Sequence, residues 1–269
     1  MSRLATIQSL ESRLVAALEE VRMLKSLEAM EATSPAPRPA PAPAPAQGPD
    51  AWQDYAFEDI GRFYDFLRSN KMLGPKITKS EFDGCQAILK ACVRANWPIS
   101  FTAYALATSY LETGATMQPI IERGGPSYFR RMYDIQGARP AKARELGNLT
   151  PGDGARFPGR GYVQLTGKNN YVKATAKLRA LGFDIDLVAN PDQALRPDVA
   201  AAVMILGMSE GWFTARKLRD DLPPSGPAGL SQFKASRDII NGKDKDDEIA
   251  AFAVDFQTGL QRGGYRVAA

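Results

Sequence analysis

A run of alternating proline and alanine divides this chain before any other feature acts on it. Seven of its 19 prolines fall between Pro35 and Pro49, in the stretch SPAPRPAPAPAPAQGP. Proline fixes φ and has no backbone N–H, so such a run can join neither a helix nor a sheet, and it carries too little apolar surface to pack a core. It favours extended polyproline II, which at ~3.1 Å per residue spans on the order of 45 Å. The expected organisation is a segment 1–33, a linker 34–50 and a domain 51–269.

The first segment reads as an amphipathic helix over about residues 3–32. Ile7, Leu14 and Val21 recur every seven residues, and Leu10, Ala17 and Leu24 follow in the paired register. This is the a/d seam of a short coiled coil, which predicts a homo-oligomer or a docking contact through residues 3–32. The plainer alternative is a helix with no fixed partner. Arg13, Glu19 and Glu20 interrupt any apolar signal-peptide core, so no signal peptide is expected. No apolar run approaches the length of a membrane span, so no transmembrane segment is expected either.

Composition narrows the chemistry. The chain has no histidine and two cysteines. A Ser-His-Asp triad, a Cys-His pair, a His-ligated zinc and a thiolate zinc site are all excluded. Acid–base work must fall to carboxylates, Lys, Tyr or Cys. Residues 1–48 hold five basic and five acidic side chains, so the whole net charge of +4 lies on 49–269. A mildly basic domain suits an anionic polymer, though ordinary solubility accounts for it equally well. The acids Asp244, Asp246, Asp247 and Glu248 lack the order of a calcium loop and read as a helix start. No metal and no cofactor are expected.

The domain reads as mainly helical. Phe57, Ile60, Phe63, Tyr64 and Leu67 keep helical spacing. Ser80 and Ser100 are candidate N-caps, the second for a helix ending at Glu112 and stopped by Gly114. Cys85 and Cys92 share a helix face and read as small buried apolar residues. Residues 198–212 are apolar nearly all round, which predicts a buried central helix. Nine glycines between Gly124 and Tyr171 mark an irregular insert.

Glu112 closes its helix at the negative end of the macrodipole, beside apolar Leu111 and Met117. Such surroundings favour a carboxyl that keeps its proton, which a glycosidase needs in its general acid. In the stretch 159–171, GRGYVQLTGKNNY, Val163 and Leu165 alternate with Tyr162, Gln164 and Thr166. A short strand here sends the first pair into the core and the polar set into a cleft. Amides and hydroxyls that both donate and accept suit sugar hydroxyls and N-acetyl groups. A plain glycine-rich hairpin is the other reading. The aromatics Tyr128, Phe129 and Tyr133, beside Arg123, Arg130 and Arg131, either line a glycan cleft or form a packed loop. Trp97 and Trp212 read as core.

Four motifs stand in one order: Leu111-Glu112-Thr113-Gly114, Met117-Gln118-Pro119-Ile120 with Glu122, the GRGYVQLTGKNNY stretch, and Asp238-Ile239-Ile240-Asn241-Gly242. Together, over roughly residues 55–260, they resemble glycoside hydrolase family 19, in its bacterial and bacteriophage branch of endolysin-like and chitinase-like enzymes. The resemblance implies a lysozyme-like helical fold with a small β/loop insert lining the cleft. It implies an inverting glycosidase with Glu112 as general acid, Glu122 as general base and Thr166 holding the attacking water. Gln164, Asn170 and Asn241 match sugar-contacting amides, and Tyr162 and Arg160 join them as candidate substrate contacts. Asp134, Glu145 and Asp153 lie in the same insert and remain alternatives for the base.

Leu111 stands where plant-type relatives carry a histidine, which favours the phage-type branch. The implied substrate is the peptidoglycan glycan strand, with no nucleic-acid partner. A chitinase on the same fold is one alternative. A virion structural protein with a tethered wall-degrading domain is the other. The expected location is the host cytoplasm and then the periplasm through a lysis pore, or else a virion.

Overall fold

The computed structural model describes residues 52–74, 76–240 and 245–267. The predicted helix 1–33, the linker 34–50, Ala51 and Asn241 lie outside the described residues. Within them the chain is mostly helical, with one two-stranded sheet. After α1 (Trp52–Ala56), α2 (Ile60–Ser69) starts at Asp59, whose carboxylate accepts the Gly61 N–H at 2.9 Å. α3 (Lys79–Arg94) starts at Thr78, two residues before the predicted cap. Glu81 lies three residues after Thr78 and completes a reciprocal capping box there.

α4 (Ile99–Glu112) is the most enclosed element, with nine of its fourteen residues buried. Pro98 rather than Ser100 precedes it, and the Ser100 hydroxyl donates to the Pro223 carbonyl at 3.0 Å. At its far end Gly114 takes φ 61, a left-handed conformation that glycine adopts without a Cβ penalty. The chain thus turns off directly after Glu112.

The insert follows: β1 (Ile120–Ile121), α5 (Pro126–Tyr133), α6 (Pro140–Glu145), α7 (Asp153–Arg156) and β2 (Arg160–Gly161). β1 and β2 pair antiparallel, with Ile120 opposite Gly161 and Ile121 opposite Arg160. α8 (Lys168–Ala180) leads back to the helical body. A 3-10 turn (Pro191–Leu195) precedes α9 (Pro197–Glu210), followed by α10 (Leu218–Asp221) and α11 (Leu230–Ala235). A second 3-10 turn (Ser236–Ile239) and α12 (Asp246–Arg262) complete the order.

α12 packs along α4, and Tyr110 meets Phe252 and Phe256 edge-on at 4.7 and 6.1 Å between ring centroids. α9 packs on α3 and is buried at seven of fourteen residues, so the centre of the body is α4 rather than the predicted 198–212. Cys85 and Cys92 are buried free thiols in this core, and burial pushes Cys92 up to about 12. No helix among the described residues is long and apolar enough to cross a membrane.

The predicted strand through 162–166 is not formed. The strand stops at Gly161, and the chain reverses through 161–164, where Gly161 has φ 89 and Gln164 φ 55. Leu165 then bonds back to Arg160 in both directions, at 2.8 and 3.2 Å. Strict alternation applies only to an extended chain, and the reversal sends Tyr162 inward, fully buried.

Candidate functional site

The helical body and the insert face each other across a cleft of about 800 Å³. Glu112 lies on the helical wall. It ends α4, the most enclosed helix, and its carboxylate meets Arg237, whose Nη1 donates to Oε1 at 3.0 Å. Both groups are secluded, with the Arg237 side chain 3% exposed and that of Glu112 14%. Arg237 rides on the second 3-10 turn. The Tyr104 hydroxyl, two helical turns before Glu112, donates to the Ser236 carbonyl at 2.7 Å and fixes that turn against α4.

Glu122 lies on the opposite wall, one residue past β1. Its N–H donates to the Gly159 carbonyl at 2.8 Å, and the Gly159 N–H returns to Glu122 Oε2 at 3.2 Å. The Tyr133 hydroxyl donates to Oε1 at 2.7 Å. The nine residues between the two glutamates are wound tightly. Thr113 accepts the Met117 N–H at 3.1 Å while donating to the Ser109 carbonyl at 2.7 Å. Gln118 reaches the Ser80 carbonyl at 2.5 Å and ties the loop to α3.

Thr166, Gln164 and Asn170 line the same cleft. The Thr166 hydroxyl donates to the Gln164 carbonyl at 2.8 Å, which commits its proton and leaves its oxygen as an acceptor. The Gln164 amide donates to the Gly161 carbonyl at 3.1 Å and, more weakly, to that of Ile120 at 3.4 Å, bracing the small sheet. The Asn170 amide donates to the Thr166 carbonyl at 2.8 Å.

Two candidate contacts do not reach the cleft. Tyr162 is fully buried, for the backbone reason given above. Arg160 is buried as a clamp: Nη1 donates to the Tyr171 hydroxyl at 2.9 Å and the Arg156 carbonyl at 3.1 Å, and Nε donates to Asp192 at 3.0 Å. It ties the insert to the first 3-10 turn.

The alternative bases divide in the same way. Asp134 is buried and accepts N–H groups from Gln136, Gly152 and Gly154 at 3.2, 2.7 and 3.1 Å. Burial works to raise its carboxyl, but the three donors and the Arg130 charge outweigh burial and hold it below the usual carboxylate range. Asp153 accepts the Thr150 N–H at 3.0 Å and pairs with Lys168 at 3.3 Å. Both serve the fold of the insert. Glu145 does line the cleft, in an exposed pair with Lys142 at 2.6 Å.

Sequence reasoning missed Arg237 and under-read Tyr133. Tyr133 lines the cleft, Phe129 beneath it is buried, and the Tyr128 ring carries Arg131 at 5.8 Å, so one aromatic faces the site and the others pack. Trp212, 8% exposed, belongs to the core as expected, yet with Phe213 it also walls the cleft. Among the described residues no three Cys, Asp or Glu side chains are grouped to hold a metal ion.

No family model matches the chain, and no curated protein sequence matches it. Three solved structures that resemble it are chitinases. Chitinase C from Streptomyces griseus matches at 18% identity, covering 78% of this chain and 78% of that chain, with a TM-score of 0.45. A variant of chitinase C matches at 18% identity with the same coverage and a TM-score of 0.46. A bacterial family 19 chitinase matches at 19% identity over 78% of this chain and 97% of that chain, with a TM-score of 0.42.

Proposed function

We propose that this chain is a glycoside hydrolase that cuts the β-1,4 glycan of peptidoglycan by a single displacement with inversion. The observation that carries the reading is the convergence of Glu112, Glu122, Thr166, Gln164 and Asn170 on one cleft, the two glutamates from opposite walls. In the reaction Glu112 gives its proton to the glycosidic oxygen as the bond to the anomeric carbon breaks. A water attacks that carbon from the opposite face and passes a proton to Glu122. Thr166 accepts one O–H of the water, which its committed hydroxyl proton suits it to do. An inverting pair needs roughly 6.5–9.5 Å between carboxyls to admit the water, and glutamates on facing walls suit that demand. Gln164, Asn170 and Asn241 supply amides for the sugar.

The basic balance of 49–269 is compatible with an anionic polymer, as it is with ordinary solubility. Access to the wall is through a lysis pore or by delivery in a particle.

The test is mass spectrometry of muropeptides released from peptidoglycan, run beside chitin oligomers. New reducing sugars from peptidoglycan alone are expected. Release from chitin alone assigns the protein as a chitinase, and release from neither ends the glycosidase reading. Glu112→Gln is expected to lower the rate by about 10²–10⁴-fold. Near-normal lysis of permeabilised Gram-negative cells by that variant would sink Glu112 as the acid.

A further inference from the structure

We propose that Tyr133 is a positioning residue for Glu122, a role that rests on the reading of Glu122 as the general base. Glu122 follows a strand of only two residues, and a glutamate side chain left to itself samples many rotamers. Its carboxylate is instead held at both oxygens, by the Tyr133 hydroxyl at Oε1 and the Gly159 N–H at Oε2. Gly159 is the backbone neighbour of β2, so its hold follows from the sheet. Tyr133 comes from the end of a separate helix, and its hold is a side-chain device.

Tyr133 is itself fixed in several ways. Its ring stacks on buried Phe129, with centroids 6.4 Å apart and planes 15° from parallel. Its carbonyl accepts the Asn148 amide N–H at 3.0 Å. Asp134, the next residue, anchors the end of α5 to the Gly152 and Gly154 backbone. Asn148 is fully buried, and its amide oxygen accepts the Lys168 N–H at 3.0 Å. Lys168 lies two residues past Thr166. One buried amide therefore spans the residue that holds the base and the segment that holds the water. The spacing between base and water is set by that bracket, independently of the glycosidic substrate.

The hydroxyl is suited to the task. Burial, and then its bond to the Glu122 carboxylate, push Tyr133 well above its ordinary value, so it stays a donor through neutral and mildly alkaline pH. Tyr133→Phe keeps the ring, the stack and the backbone bonds and removes only the oxygen.

The experiment compares kcat and KM on uncrosslinked peptidoglycan strands for the parent protein, Tyr133→Phe, Glu122→Gln and the double variant, with a crystal structure of Tyr133→Phe. The expected result is kcat lower by up to about 100-fold at unchanged KM, as for a misplaced catalytic group. The double variant should be no slower than Glu122→Gln alone, and the Glu122 carboxylate should be turned from its present position. Normal kcat in Tyr133→Phe with loss in Glu122→Gln overturns the inference and leaves the base in place. Normal kcat in both overturns the base and this inference together. An unmoved Glu122 carboxylate in the crystal overturns the inference whatever the activity.

Discussion

Glu112 and Arg237 are 125 residues apart and meet across 3.0 Å at the cleft wall, with little of either side chain exposed. Breaking a secluded ion pair costs up to about 3–5 kcal/mol, less where either group keeps another contact. Arg237→Gln is therefore expected to lower the unfolding free energy by roughly 3 kcal/mol in a urea titration. A loss well under 1 kcal/mol would show that the pair does not hold the 3-10 turn to α4. Asp134 makes a different prediction. Its folded carboxyl lies below the unfolded value of 3.8, so the folded chain binds fewer protons in that range. Its stabilisation is complete above that value and is lost as pH falls through the lower folded value. Asp134→Asn should flatten the acid limb of urea midpoint against pH below about 4. An unchanged limb would contradict the role given to its three N–H donors.

At the scale of elements, the distance between the two glutamates depends on how the loop 113–118 seats on α3. Gly84 makes that seat: a Cβ there would stand 1.7 Å from the Met117 carbonyl oxygen. Alanine gains up to about 1 kcal/mol in helix propensity, but the overlap with fixed backbone costs about 1–3 kcal/mol. Gly84→Ala is expected to lower the melting temperature and, by shifting the loop, kcat as well. A stabilised variant would refute the close seat. Much at this scale was legible in the sequence. Gly114 ends α4 as expected, because a left-handed turn has a local physical meaning, whereas Gly211 stops α9 at Glu210, short of the predicted end at 212. Of the two readings of 159–171 the hairpin holds, because alternation presumes an extended backbone and Gln164 in the left-handed region breaks it. The Arg237–Glu112 pair left no local trace at all. Tyr133 lies eleven residues from Glu122, and only the aromatic cluster around it gave a signal.

For the molecule as a whole, the sequence separates an arm from a domain, and the heptads of residues 3–32 make a checkable claim. The full chain should sediment as an oligomer and the fragment 49–269 as a monomer, with equal activity per active site. If both sediment as monomers, the arm does not self-associate. The domain has its own division. Glu112 stands on packed helices, while Glu122 stands on an insert of short helices and turns held together by side-chain hydrogen bonds. Such regions open at lower free energy than a helical core. On warming, hydrolysis should fail at a temperature where the far-ultraviolet helix signal is still intact, and amide exchange should be faster over 113–167 than in α4 or α12. Coincident loss of both signals would refute this. The working life of the proposed site is then set by its more fragile wall. Anyone seeking a heat-tolerant form should reinforce the turns around Glu122, because further tightening of the helices would prolong the life of a fold that has already stopped working.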